Sequence, residues 1–92
     1  MKQFVIERDL PGAGKLSAAD LQAISQTSCS VVDSLGQPYK WLHSYVTDDK
    51  IFCVHQAESE EVIREHSSQG GFPVTNIFEV KTMIGPETAT AV

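Results

Sequence analysis

The chain has few basic residues and no long apolar stretch. It carries 7 Lys and Arg residues against 12 Asp and Glu residues, for a formal charge of -5 over 92 residues. A nucleic-acid-binding surface needs clustered cations, and none occurs here, so we expect no nucleic-acid partner. No apolar run approaches the length that spans a bilayer, so we expect no membrane partner. The N-terminus reaches an acidic residue at Glu7 without an uninterrupted apolar segment, which argues against a signal peptide.

Cysteine is also scarce, and the usual local metal motifs are missing. The two cysteines, Cys29 and Cys53, form no CxxC pair, and the sequence contains neither HxH nor HExxH. Without a secretory signal, two such thiols favour a reduced, cytoplasmic protein. Cys53 lies in a predicted buried strand, where a free thiol is usually inert.

The composition is that of a small globular protein, with 41% apolar and 21% charged residues. We predict a domain over residues 1–84 and a flexible C-terminal tail over residues 85–92. β-branched and aromatic runs, turn residues and helix caps predict six elements in order: a strand at 2–8, a helix from Ser17 to Gly36, strands at 40–46 and 51–56, a helix from Ser59 to Gly70 and a strand at 76–84. Ser17 and Asp20 have the spacing of a capping box.

This β-α-β-β-α-β order predicts an α+β, ferredoxin-like fold with a four-stranded antiparallel sheet. Both helices cover one sheet face in such a fold. The strands here carry bulky apolar residues on both faces, which a solvated face does not need. We therefore expect a homodimer of the dimeric α/β-barrel type, in which a second copy covers the other face.

The turn "TDDK" at 47–50 joins the two central strands, and placing Val46 opposite Ile51 sorts the side chains of this hairpin into two sets. The set predicted under the helices is Leu42, Ser44, Val46, Ile51, Cys53 and His55. The set predicted to face the dimer cavity is Trp41, His43, Tyr45, Phe52, Val54 and Gln56. His43 and Cys53 then lie on opposite faces, which weakens any metal site that uses both. His55 is expected near solvent at the hairpin end.

Five residues are candidates for a site. His43 is the strongest, because a neutral imidazole binds Ni, Cu or Zn and exchanges protons near neutral pH. Glu7 and Glu79 stand within strands, where a carboxylate is unusual unless it is paired or exposed. Tyr45 offers a hydroxyl, although aromatic residues in strands mostly pack. His66 lies in an apolar helical stripe, where a packing role is the more common one.

Several segments resemble one bacterial family. They are "VIERDLPG" at 5–12, "HSYVTDDK" at 43–50, "CV" at 53–54, "EEVIREH" at 60–66, "GGFP" at 70–73 and "EV" at 79–80. In these segments the chain resembles a family of short bacterial domains of unknown function, which includes an actinobacterial nickel-responsive, nickel-binding protein. The resemblance covers nearly the whole chain and implies a ferredoxin-like dimer. It implies nickel binding only for members that keep the ligands.

Two functions remain open on the sequence, beside a third, plainer one: a subunit or appended sensor-like module whose cavity is vestigial. The first is a binding protein whose dimer holds nickel, another divalent transition metal or a small molecule between its sheets. A metal site of this kind requires at least three of His43, Glu7, Glu79, Tyr45 and His66 to converge. The alternative is a small cofactor-independent enzyme, in which a cavity histidine and a carboxylate act as acid and base.

Overall fold

The computed structural model describes residues 1–90 and contains two helices packed on one four-stranded sheet. The elements are β1 (Lys2–Asp9), α1 (Ala18–Ser34), β2 (Tyr39–Val46), β3 (Lys50–Ala57), α2 (Glu60–Gly70) and β4 (Asn76–Glu79), with short 3-10 turns at Ala13–Lys15 and Pro86–Thr90. The strands are ordered β2-β3-β1-β4, and neighbouring strands are antiparallel. The predicted ferredoxin-like α+β fold is confirmed.

The helix ends follow the local signals. The Ser17 hydroxyl accepts from the Asp20 backbone N–H, and the Asp20 carboxylate accepts from the Ser17 N–H, each at 3.1 Å, so the predicted capping box is present. Ser59 occupies the N-cap position of α2, but its side chain makes no capping hydrogen bond. Gly71 ends α2 with φ 71°, a left-handed conformation that favours glycine.

The core lies between the two helices and one face of the sheet. Its buried residues include Phe4, Ile6, Val31, Leu35, Tyr39, Ile51, Cys53, Ala57, Val62 and Ile63. Ile6 and Ile63 are fully buried, and they join the centre of β1 to α2. Within residues 1–90, no helix is both long and apolar enough to cross a membrane.

The last strand is shorter than predicted. β4 ends at Glu79 instead of residue 84, although the Val80 N–H still donates to the Gln3 carbonyl at 2.8 Å. β1 is the strand that pairs with β4, and Glu79 already lies opposite Phe4, so β1 offers little backbone for further pairing. Residues 86–90 of the predicted tail form a 3-10 turn, and residues 91–92 of that tail lie outside the described residues.

A bulge in β2 corrects the predicted faces of the hairpin. Val46 lies opposite Ile51 as predicted, but the register shifts between Trp41 and His43 and leaves Leu42 without a partner. Trp41 therefore lies opposite His55 on the helix side instead of sharing a face with His43. His55 is 1% exposed, so the prediction of solvent contact is wrong: the β2–β3 register carries this ring into the core.

Candidate functional site

Within residues 1–90, no other element covers the sheet face opposite the helices, and we call this face the open face. Side-chain alternation and strand pairing place on it the apolar and aromatic residues Val5, Tyr45, Phe52, Val54 and Phe78, together with the polar residues Gln3, Glu7, Lys40, His43, Gln56 and Asn76. Tyr45 is 60% exposed and Phe78 is 55% exposed. Large exposed aromatic groups on a sheet face are characteristic of an interaction surface.

His43 and Tyr45 lie side by side on this face, with ring centroids 5.1 Å apart and planes at 73°. Both side chains are exposed, and His43 lies opposite Val54, whose side chain is buried at the centre of the sheet. The imidazole therefore projects from apolar surroundings, with a phenol ring beside it. His43 and Cys53 lie on opposite faces of the hairpin, as the sequence predicts.

Glu7 shares the open face but is held by other partners. Its carboxylate accepts from the Lys50 ammonium and, at 2.8 Å, from the Asn76 amide. These hydrogen bonds lower the pKa of Glu7, with the one from Lys50 having the larger effect. Tyr45 and Glu7 are both paired with Phe52 of the intervening strand, which puts their backbones about 10 Å apart. The histidine and carboxylate that an enzyme would need are therefore not in contact within one chain.

The other two candidates lie on the helix side. Glu79 is opposite Phe4, a core residue, and its carboxylate accepts from Lys81 at 2.7 Å. His66 belongs to α2, and it is 1% exposed. The sheet thus separates Glu79 and His66 from His43, Tyr45 and Glu7. Within residues 1–90, no three His, Cys, Asp or Glu side chains are grouped so that they could hold a metal ion.

A buried cluster of rings under the helices was not predicted. Tyr39 and His55 share a hydrogen bond of 2.5 Å between the hydroxyl and Nδ1, and Tyr39 stacks on His66 at 5.0 Å. The His66 ring also stacks on Phe72 at 5.7 Å. Burial lowers the pKa of His55 to about 3 and that of His66 to about 4, and it raises the pKa of Tyr39. All three rings are therefore neutral near neutral pH.

Arg8 is also buried, and the sequence did not single it out as a site residue. It is 4% exposed. A signal was present in the alternation of β1, because Arg8 shares a face with Phe4 and Ile6, the two apolar residues of that strand that point to the core. His55 carried a comparable signal, since it alternates with Cys53 and Ile51.

Comparison with solved structures supports the fold. The chain is similar to SCO4226 from Streptomyces coelicolor A3(2), a crystal structure, with a TM-score of 0.76. The match covers 89% of this chain and 99% of that chain at 15% sequence identity. At that identity the likeness shows a common fold. No curated protein matches the chain.

A match to a family model shows which protein family the chain is related to. The model described as "Nickel responsive protein SCO4226-like" matches residues 4–80, a range that runs from β1 through β4. It includes His43 and Tyr45 on the open face and the buried rings beneath the helices. The chain therefore belongs to the SCO4226-like family of nickel responsive proteins.

Proposed function

We propose that this protein is a homodimeric binding protein that holds a divalent transition metal, nickel by family description, between two open faces. The observation that carries the proposal is the uncovered sheet face, on which the exposed His43 imidazole stands beside Tyr45 among apolar side chains. Packing two such faces would cover the exposed aromatic rings and bring ligand groups of two chains together.

The donor chemistry suits the metal. A neutral imidazole is a good ligand for nickel, and the His43 side chain is exposed on this face. Tyr45 is positioned to orient that ring, whereas Glu7 is already engaged by Lys50 and Asn76. Since one chain does not gather three ligands within residues 1–90, a second copy would add its own His43 imidazole, and the Tyr45 hydroxyls of the two chains would supply the remaining ligands.

A nickel titration tests the proposal. Purified, untagged protein is stripped with a chelator and titrated with nickel in a calorimeter, while bound metal is measured by elemental analysis. We expect saturable binding that disappears in His43→Ala, because this change removes the imidazole ligand. Lys15→Ala is the control, since Lys15 is exposed in the 3-10 turn before α1, outside the sheet, and should leave nickel uptake unchanged.

Sedimentation of His43→Ala accompanies the titration. The variant should remain a folded dimer, which would separate loss of a ligand from loss of assembly. Undiminished nickel uptake in His43→Ala would remove His43 as a ligand. A wild-type protein that takes up no nickel, or that binds it as a monomer, would overturn the proposal as a whole.

A further inference from the structure

A small cavity lies on the helix side of the sheet, away from the open face. It has a volume of about 70 Å³. We call it the helix-side cavity, and the residues lining it include Arg8, Leu10, Ile24, Trp41, His66 and Phe72. By the same measure one water needs about 10–15 Å³, so the cavity has room for several non-hydrogen atoms. Most of its exposed wall is apolar, and the polar residues of its lining are Arg8, Ser28, Ser44, His55 and His66, a mixture found in sites for small organic ligands.

Arg8 brings a buried positive charge to this cavity, and no anionic side chain within residues 1–90 forms a salt bridge with it. Its Nη1 donates to Ser67 Oγ at 3.0 Å and to the Pro73 carbonyl at 2.8 Å, and its Nε donates to Cys53 Sγ at 3.3 Å. None of these acceptors is a carboxylate. The salt bridges found within residues 1–90 do not involve Arg8. A buried cation without a counter-ion is costly, so this arrangement favours an anion from outside the chain.

The guanidinium also has an unused donor. Arg8 Nη2 is buried and has no hydrogen-bond partner. An unsatisfied donor on a charged, buried group is rare in a folded protein, because each lost hydrogen bond is expensive there. The Phe72 ring lies 5.5 Å from the guanidinium carbon and covers part of the charge without supplying an acceptor.

His66, another residue that lines the cavity, supplies a second unused polar atom. Its Nδ1 is buried and without a partner, while its Nε2 lies 3.1 Å from Ser28 Oγ. In a neutral ring whose Nε2 accepts from that hydroxyl, the proton is on Nδ1, which then becomes a donor. Two residues that line one cavity would then each offer an N–H to an acceptor that residues 1–90 do not provide.

We propose that the helix-side cavity binds a small monocarboxylate, whose oxygens accept from Arg8 and His66 and whose short apolar tail packs against Leu10. A carboxylate matches the planar, forked donors of a guanidinium. The small volume and apolar walls disfavour strongly hydrated inorganic anions such as phosphate. This ligand is separate from the metal proposed for the open face.

Butanoate is the probe, and Trp41 is the reporter. Trp41 is the single tryptophan of the chain and lines the cavity, so its fluorescence should change as the site fills. We expect saturable binding of butanoate by fluorescence and calorimetry. Butanamide has the same shape without the charge, and it should bind about tenfold or more weakly, because a hydrogen bond to a charged group is lost.

Two variants test the residues. Arg8→Gln should weaken butanoate binding by about tenfold or more, since it removes the charge and the fork. Arg64→Gln is the matched control, because Arg64 is exposed on α2 and pairs with Glu60 at 3.2 Å, so binding should be unchanged. If Arg8→Gln does not fold, Ile24→Phe decides: it keeps Arg8, fills the cavity and should abolish binding.

The outcomes separate this proposal from the metal site. His43→Ala should bind butanoate like the wild type, even if it loses nickel. The proposal is overturned if butanoate does not bind at millimolar concentration, or if butanamide binds as tightly. It is equally overturned if phosphate binds as tightly as butanoate, or if Ile24→Phe leaves butanoate binding unchanged.

Discussion

The two buried histidines make the stability of this protein depend on pH at the scale of single residues. In the fold, burial lowers the pKa of His55 to about 3 and that of His66 to about 4, against 6.5 for an unperturbed ring. The unfolded chain therefore binds more protons than the folded one as the pH falls from 6.5 to about 4. By linkage, the free energy of unfolding is largest above pH 6.5 and declines through that window.

The decline is large enough to measure. At pH 5 each histidine should have removed about 2 kcal/mol of the free energy of unfolding found at pH 8. Urea unfolding at pH 8, 6.5 and 5 checks this. His66→Met keeps an apolar, adaptable side chain but removes one titrating ring, so it should lose about half as much stability over this range. Equal stability at pH 8 and pH 5 would contradict the neutral, buried state of both rings.

At the scale of elements, the N-terminus of α1 depends on one reciprocal pair. Ser17 and Asp20 satisfy each other's backbone N–H groups, which the helix itself leaves without partners. Ser17→Ala should lower the free energy of unfolding by about 1 kcal/mol, measured by urea unfolding. Ser30→Ala within the same helix is the control. Ser30 is exposed, and alanine is the better helix former, so no loss is expected.

A Ser17→Ala variant as stable as Ser30→Ala would show that the capping box contributes nothing. The comparison is made near neutral pH. The two buried histidines then stay neutral in both variants and do not contribute to the difference.

Local signals predicted the elements well because each acts within a few residues. The Ser17 cap, the 47–50 turn and the end of α2 at Gly70 are as predicted. The bulge at Leu42 has no comparable local signature, since it is set by the pairing of β2 with β3. One unpaired residue was enough to move Trp41 to the helix side, where it lines the cavity. Register, more than element type, limited the prediction of faces.

The candidate site was only partly predictable for the same reason. His43 and Tyr45 stand beyond the bulge, next to the turn, where the predicted alternation is correct, and the structure places them together. Glu79 lies opposite Phe4, whose side chain points to the helix side, whereas the Glu7 side chain points to the open face. The two carboxylates are therefore on opposite sides of the sheet. The unpaired Arg8 donor could not be inferred, because it depends on which acceptors the tertiary packing brings near.

At the scale of the whole molecule, the sheet lies between two candidate sites that differ in their chemical groups. The open face exposes His43 and aromatic rings, whereas the helix side encloses Arg8 and neutral rings. A buried cavity can bind its ligand within one chain. The open face gathers no three-ligand group within residues 1–90, so the metal proposed there depends on assembly. The open face can therefore be tested without any ligand, by measuring whether the protein dimerises.

Phe78 offers that test, because it lies on the open face and is 55% exposed in the single chain. In the proposed dimer Phe78→Asp would place a carboxylate in an apolar interface, at a cost of about 2 kcal/mol or more. We expect the wild type to sediment as a dimer and Phe78→Asp to shift towards monomer and lose nickel, while butanoate binding persists. Met83→Asp adds the same charge at an 82% exposed apolar residue beyond β4 and should leave the dimer intact. A Phe78→Asp protein that remains fully dimeric would exclude this part of the open face from the interface.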